Sequence, residues 1–276
     1  MRRLAKRLIH PLASERTYRW VQCLAKAWDI RTGSWTEPEL DLVRSAVREG
    51  DTVLDVGANF GLYSYHLSRA VGSTGRVIAF EPVPSTFATL VDVAKLLRFR
   101  NVELVPKGCS DVSGRVTFTV PVQTSGAVSA GIAHISGRND DRPLTEGHVR
   151  WEHTAKVEAE VVALDSFLPS LESLSLFKCD IEGAELLAFR GARRLIEHHK
   201  PTIVCEIDQW YLDGFGISVN DLAGFFLSQG YGLYAYRAVP ERRLTRIDVA
   251  EIGKQNNYIF LHPRYLERLI SFVRGS

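Results

Sequence analysis

No apolar run in the 276 residues approaches the about 18 that cross a bilayer, so no transmembrane helix is expected. Cysteine is scarce. Cys23, Cys109, Cys179 and Cys205 form no CxxC pair and no Cys/His cluster at zinc spacing. That excludes a disulfide scaffold and fits a reducing, cytoplasmic setting. Charge of one sign is also missing: 34 Lys and Arg stand against 32 Asp and Glu, a net charge of +2. So even a balance speaks against a nucleic-acid partner for the whole body. Internal repeats, the GxGxxG of a dinucleotide site and the GKS or GKT of a phosphate loop are all absent. What is there is a globular composition, 45% hydrophobic and 24% charged, at a length suited to one domain with an added lobe.

The N-terminus alone is skewed. Up to residue 31 it carries Arg2, Arg3, Lys6, Arg7, Arg16, Arg19, Lys26 and Arg31 against Glu15 and Asp29. It lacks the apolar core of about 7–15 residues that a signal peptide needs. Leu4, Leu8 and Leu12 form a short stripe flanked by bases, which could lie on an anionic membrane surface. The plainer expectation is a helical arm that packs on the body or on another chain. The reading is therefore a basic arm over 1–35 and one domain over 36–276.

Along that domain, strand and helix patterns alternate. TVLDVG, GRVIAFEP, NVELVPKGCS, SLSLFKCD and PTIVCEID read as buried strands. Helices are expected over 36–48, 62–69, 85–97, 184–196 and 219–227. RVTFTVPV and KVEAEVVALDSFL alternate as half-exposed strands, with an irregular, Gly-, Ser- and His-rich stretch over 123–154 between them. GYGLYAYR and NYIFLHP close the chain as an antiparallel pair. The expectation is an α/β fold, a mostly parallel seven-stranded sheet with a closing antiparallel strand and helices on both faces.

The sharpest motif is Asp55-Val56-Gly57-Ala58-Asn59-Phe60-Gly61, directly after the first strand. Glycines at a strand-to-helix turn let a ligand approach the backbone, and the helix start offers free N–H groups. Asp55 would repel a pyrophosphate and suit an ammonium group. Glu81 ends the second strand, 20 residues past Gly61, where an acid can accept hydrogen bonds from ribose hydroxyls.

The stretches VLDVGANFGLYS, GRVIAFEPVPSTFATL and LFKCDIEGAELLAFRGA resemble the FkbM family of S-adenosylmethionine-dependent methyltransferases. That family's (K/R)-x-D-(V/I)-E-G-x-E run is matched from Lys178 to Glu185. The resemblance covers about residues 36–262 and implies a Rossmann-like class I methyltransferase fold. It implies that Asp55, Gly57, Asn59 and Gly61 hold the amino-acid end of S-adenosylmethionine and that Glu81 holds the ribose. Ser110 and Asp111 fall where the class usually contacts adenine, and Asp180 borders the same site. The helix after Glu81 departs from the family's NxxLN run and reads VAKLLRFRN.

Asp180, Glu182 and Glu185 follow a buried strand, and Glu206 and Asp208 end the next one. In open sheets ligands bind outside the carboxyl ends of strands, which puts Asp180 on one rim with Asp55 and Glu81. Carboxylates gathered there raise one another's pKa or bind a cation. Asp180, then Glu182 and Glu206, are the candidate general bases for an alcohol acceptor. Asp180, Glu206 and Asp208 are the candidate ligands of magnesium or manganese. Glu185 reads as a first-turn helix acid. His134, His148 and His153 fall in the irregular stretch, and Trp151, Trp210 and Tyr211 could stack on a flat acceptor. The leading expectation is O-methylation of a sugar, glycolipid or polyketide-type hydroxyl. The alternatives are an NAD-linked oxidoreductase and a non-catalytic cofactor-binding protein. No NPPY- or PCQ-type run points to nucleic-acid methylation.

Overall fold

The computed structural model describes residues 15–122, 133–136 and 153–274. The chain runs through α1 (Glu15–Thr32), α2 (Leu40–Ala46), β1 (Thr52–Val56), α3 (Leu62–Ala70), β2 (Arg76–Phe80), α4 (Pro84–Leu97) and β3 (Val102–Val105). Next come β4 (Gly108–Cys109), β5 (Gly114–Pro121), β6 (His134–Ile135), β7 (Thr154–Val162) and α5 (Leu164–Phe167). Then follow β8 (Leu176–Cys179), α6 (Glu185–Gly191), α7 (Arg193–His199), β9 (Thr202–Glu206), α8 (Gln209–Asp213) and α9 (Val219–Leu227). The chain closes with β10 (Gly232–Arg237), β11 (Arg243–Arg246), β12 (Asn257–Leu261) and α10 (Ile270–Arg274).

The main sheet has the order β11-β10-β12-β9-β8-β1-β2-β3. The strands from β9 to β3 are parallel, and β10, β11 and β12 pair antiparallel. Alternate side chains of one strand serve opposite faces. Leu54, Val56, Ile78 and Phe177 join the core under α6, α7 and α9. Val53, Val77, Leu176 and Val204 join the core under α1 to α3. Burial on both faces is why these strands read as continuous apolar runs.

Three of these expectations need correction. Among the described residues the main sheet has eight strands, because Arg243–Arg246 adds an outer antiparallel strand against β10. The third strand also stops at Val105, and Gly108–Cys109 leaves it to join a separate sheet of order β4-β7-β5-β6. The helix expected over 184–196 divides at Ala192. Within the basic arm, α1 packs along α4, with Cys23, Ala27 and Ile30 buried and Arg19 Nε 3.1 Å from Asp92. That part of the arm packs on the body. The Leu4, Leu8 and Leu12 stripe lies outside the described residues, as do His148 and Trp151.

Candidate active site

At the carboxyl ends of β1, β2, β8 and β9 lies a cavity of about 550 Å³. One side is made by the turn after β1. Gly57 (φ +79°) and Asn59 (φ 51°) are left-handed there, and Gly61 (φ +89°) caps α3. Gly57 has no room for a side chain: a Cβ would sit 1.9 Å from the Asp180 carbonyl oxygen. The tight contact holds the β1 turn against the end of β8. The Asn59 N–H donates to Glu81 Oε2 at 3.0 Å, and the Val83 N–H donates to Oε1 at 2.9 Å. Both Asn59 and Glu81 line the cavity, and the buried Asn59 Oδ1 has no hydrogen-bond partner in the chain. Burial pushes Glu81 up to about 7, against the pull of those two backbone N–H groups.

Lys178 stands at the centre. It is only 3% exposed and lies in register with Asp55 on the neighbouring strand. Its Nζ donates to the Gly57 carbonyl oxygen at 2.9 Å and faces Asp55 Oδ1 at 3.6 Å and Asp180 Oδ2 at 3.4 Å. The ammonium also lies 4.9 Å from the centre of the Tyr63 ring. Burial alone would push its pKa down, but Asp180 and then Asp55 overcome that and hold it above the ordinary lysine range. A lysine in a buried strand is tolerated because two carboxylates and a carbonyl surround it.

Asp180, Glu182 and Glu206 each bring an oxygen within 4.8 Å of the others. Burial, and then the charges of Asp180, Glu182 and Glu185, push Glu206 well above the carboxylate range. Glu182 is left-handed (φ 60°) and Gly183 follows at φ +104°, so the chain doubles back after Asp180 and turns Glu182 towards Glu206. Glu185 locks this turn by accepting from the N–H groups of Ile181 at 2.9 Å and Gly183 at 3.1 Å. Glu185 is thus a structural acid.

Several expected site residues lie elsewhere. Asp55 is fully buried, accepts from Ser64 Oγ at 2.6 Å and faces Lys178 at 3.6 Å, and it is not part of the cavity wall. Gly61 serves the turn, with Leu90 and Phe99 packed against it. Ser110 and Asp111 bond each other at 3.1 Å and pack against Gly191, away from the cavity wall. Pro82, Val83, Phe118 and Ala133 line the cavity near Glu81 instead. Asp208 caps α8 by accepting from the Trp210 N–H at 2.8 Å, and Glu182 takes its place among the clustered acids. Of the histidines, His134 is buried in β6.

The wall also contains residues that sequence reasoning did not single out. Trp35, Glu37 and Glu39 arrive on the segment before α2, and Asn256 and Asn257 on the approach to β12. Tyr63 hydrogen-bonds Glu39. The signal for Lys178 was present, since a lone lysine in an apolar strand must find counter-charges.

Residues 55–233 match the family model described as Methyltransferase FkbM domain. Methyltransferase 1 of Beauveria bassiana (strain ARSEF 2860) is 26% identical over 145 residues, 50% of this chain and 57% of that protein. The solved methyltransferase FkbM of Methylobacillus flagellatus KT is 19% identical at a TM-score of 0.48, over 77% of this chain and 43% of its own. A SAM-dependent methyltransferase from Aquifex aeolicus is 13% identical at a TM-score of 0.42, over 85% of this chain and 96% of its own. The chain thus spans less than two thirds of the first two relatives' length.

Proposed function

The chain belongs to the FkbM methyltransferase family, and from that premise we propose that it transfers a methyl group from S-adenosylmethionine to a hydroxyl of a sugar, glycolipid or polyketide-type acceptor. One observation carries this reading. A single cavity joins Gly57, Asn59 and Glu81 to Asp180, Glu182 and Glu206. The first group suits the cofactor: Gly57 lines the cavity at the turn after β1, Asn59 Oδ1 awaits a donor, and Glu81 can accept from a diol. When bound, the sulfonium supplies an electrophilic methyl group.

The chain's own part is to orient the acceptor hydroxyl and take its proton. Asp180 is the proposed base. Lys178 fixes one of its oxygens from 3.4 Å, and Glu182 and Glu206 each bring an oxygen within 4.8 Å. Burial, and then the charge of Asp180, favour the protonated form of Glu206, which sets it apart from Asp180 as the proton acceptor. A base so placed contributes roughly 10²–10⁴ in rate. The second use of the trio, holding magnesium or manganese, is separated from the first by activity in EDTA.

Titration with S-adenosylhomocysteine and with NAD tests the cofactor class. The first should bind and the second should not; the reverse would sink the proposal. Glu81 gives the binding a pH signature. Between its ordinary value of 4.5 and about 7, the ligand-free protein holds a proton that the unfolded chain has lost. Stability of the free protein therefore falls as pH rises through that window. Ribose hydroxyls donate to the charged form, so S-adenosylhomocysteine should bind roughly tenfold more tightly at pH 8 than at pH 6, with proton uptake by buffer. Glu81→Gln should flatten this dependence and cost about 1.5–3 kcal/mol of affinity at pH 8. A wild-type pH profile in Glu81→Gln would assign the proton to another group.

A further inference from the structure

Helix α1 turns one face inward through Cys23, Ala27 and Ile30. Its opposite face carries Trp20, Leu24 and Trp28, spaced by four and therefore stacked along one side, with Val21 beside them. These side chains are 46%, 54%, 63% and 41% exposed. Among the described residues, half of the large exposed hydrophobic side chains sit on this one helix, whereas Val112, Leu227 and Val239 are scattered singly. Single exposed apolar residues need no explanation, but a row containing two tryptophans does.

We propose that this face of α1 seats the protein on an anionic lipid bilayer. The surrounding charge selects that partner. Asp29, the only acid of the helix beyond its first residue, is buried, and Arg31 is exposed. Arg19 neutralises Asp92 of α4. Past the middle of α4 the exposed side chains are Lys95, Leu96, Arg98 and Arg100. The sequence before α1 adds Arg2, Arg3, Lys6 and Arg7 with no acid. An apolar stripe with tryptophans, bordered by bases alone, is the pattern of a helix lying in a headgroup layer. Among the described residues no helix is long and apolar enough to cross a membrane, so the contact is with the surface. A second copy of the chain fits less well. A two-fold axis would set its basic borders against each other. The inference does not depend on the reading of the cavity.

Sedimentation of the full chain with phosphatidylcholine vesicles, with and without phosphatidylserine, tests it. Binding should require phosphatidylserine and fall as salt rises. Vesicles of brominated lipid should quench tryptophan emission. Leu24→Glu/Trp28→Glu changes only exposed side chains. It should keep the parent's melting temperature while its bound-to-free ratio drops at least about tenfold. Trp20→Ser/Leu24→Ser, which adds no charge, should drop it in the same direction. No binding to anionic vesicles at low salt would overturn the proposal. So would unchanged binding in both folded variants, or a concentration-dependent dimer that they abolish.

Discussion

Gly57→Val is expected to lose measurable affinity for S-adenosylhomocysteine, a drop of at least about a hundredfold, while the protein still folds. The cause is contact as well as backbone strain. A Cβ at this position would lie 1.9 Å from the Asp180 carbonyl oxygen and 3.1 Å from the Ile181 side chain. Real side chains do not approach that closely, so the turn after β1 must move away from the end of β8. The movement displaces Asn59 and the N–H that it donates to Glu81. It also breaks the alignment of the Gly57 carbonyl with Lys178. Gly216→Ala separates the two effects. Gly216 is also left-handed (φ +65°), but nothing lies within 4 Å of the Cβ it would gain. That variant bears only the conformational cost, about 1–2 kcal/mol, and should bind normally. Calorimetric titration of both variants reads the contrast, and retained binding in Gly57→Val would remove the β1 turn from the cofactor site.

Asp180→Asn should give the opposite separation. The side chain keeps its size and hydrogen-bonding capacity and loses its charge. Lys178 keeps Asp55 and the Gly57 carbonyl as partners. Cofactor affinity should therefore survive, while turnover falls by at least about 10². EDTA-insensitive activity in the parent assigns the loss to a missing base, and EDTA-sensitive activity assigns it to a missing metal ligand. Near-normal turnover would exclude Asp180 from the chemistry and leave Glu182, which shares the cavity wall.

The strands were legible because the parallel ones are buried on both faces and leave unbroken apolar runs. The turn at Gly57 and the acid at Glu81 were legible because local chemistry fixes both. The residues that lie away from the cavity wall share a different cause. The pairing of Asp55 with Lys178 depends on the register of β1 against β8, 123 positions apart in number but opposite one another in the sheet. No local pattern reports that register, so the pairing is not legible in the motif itself. Asp208 was grouped with Glu206 on the assumption that β9 continues, but the strand ends at Glu206 and Asp208 caps the next helix. Glu182 reaches the cluster only because two successive left-handed residues reverse the chain. Glu37 and Glu39 fall within the helix expected over 36–48, but α2 begins only at Leu40, so they stand with Trp35 on irregular backbone. Ser110 followed a strand that was expected to continue past Val105. The chain instead leaves the main sheet and pairs Cys109 with Val162.

The central claim is methyl transfer to oxygen in this cavity. Its most direct test is incubation of the full chain with S-adenosylmethionine labelled in the methyl group and an extract of the source cells. The account predicts label in a small-molecule or glycolipid fraction, as a mass increment of one methyl that resists alkali as an ether does, and its loss with Asp180→Asn. Label carried on nitrogen or on nucleic acid, or unchanged labelling by Asp180→Asn, would contradict it.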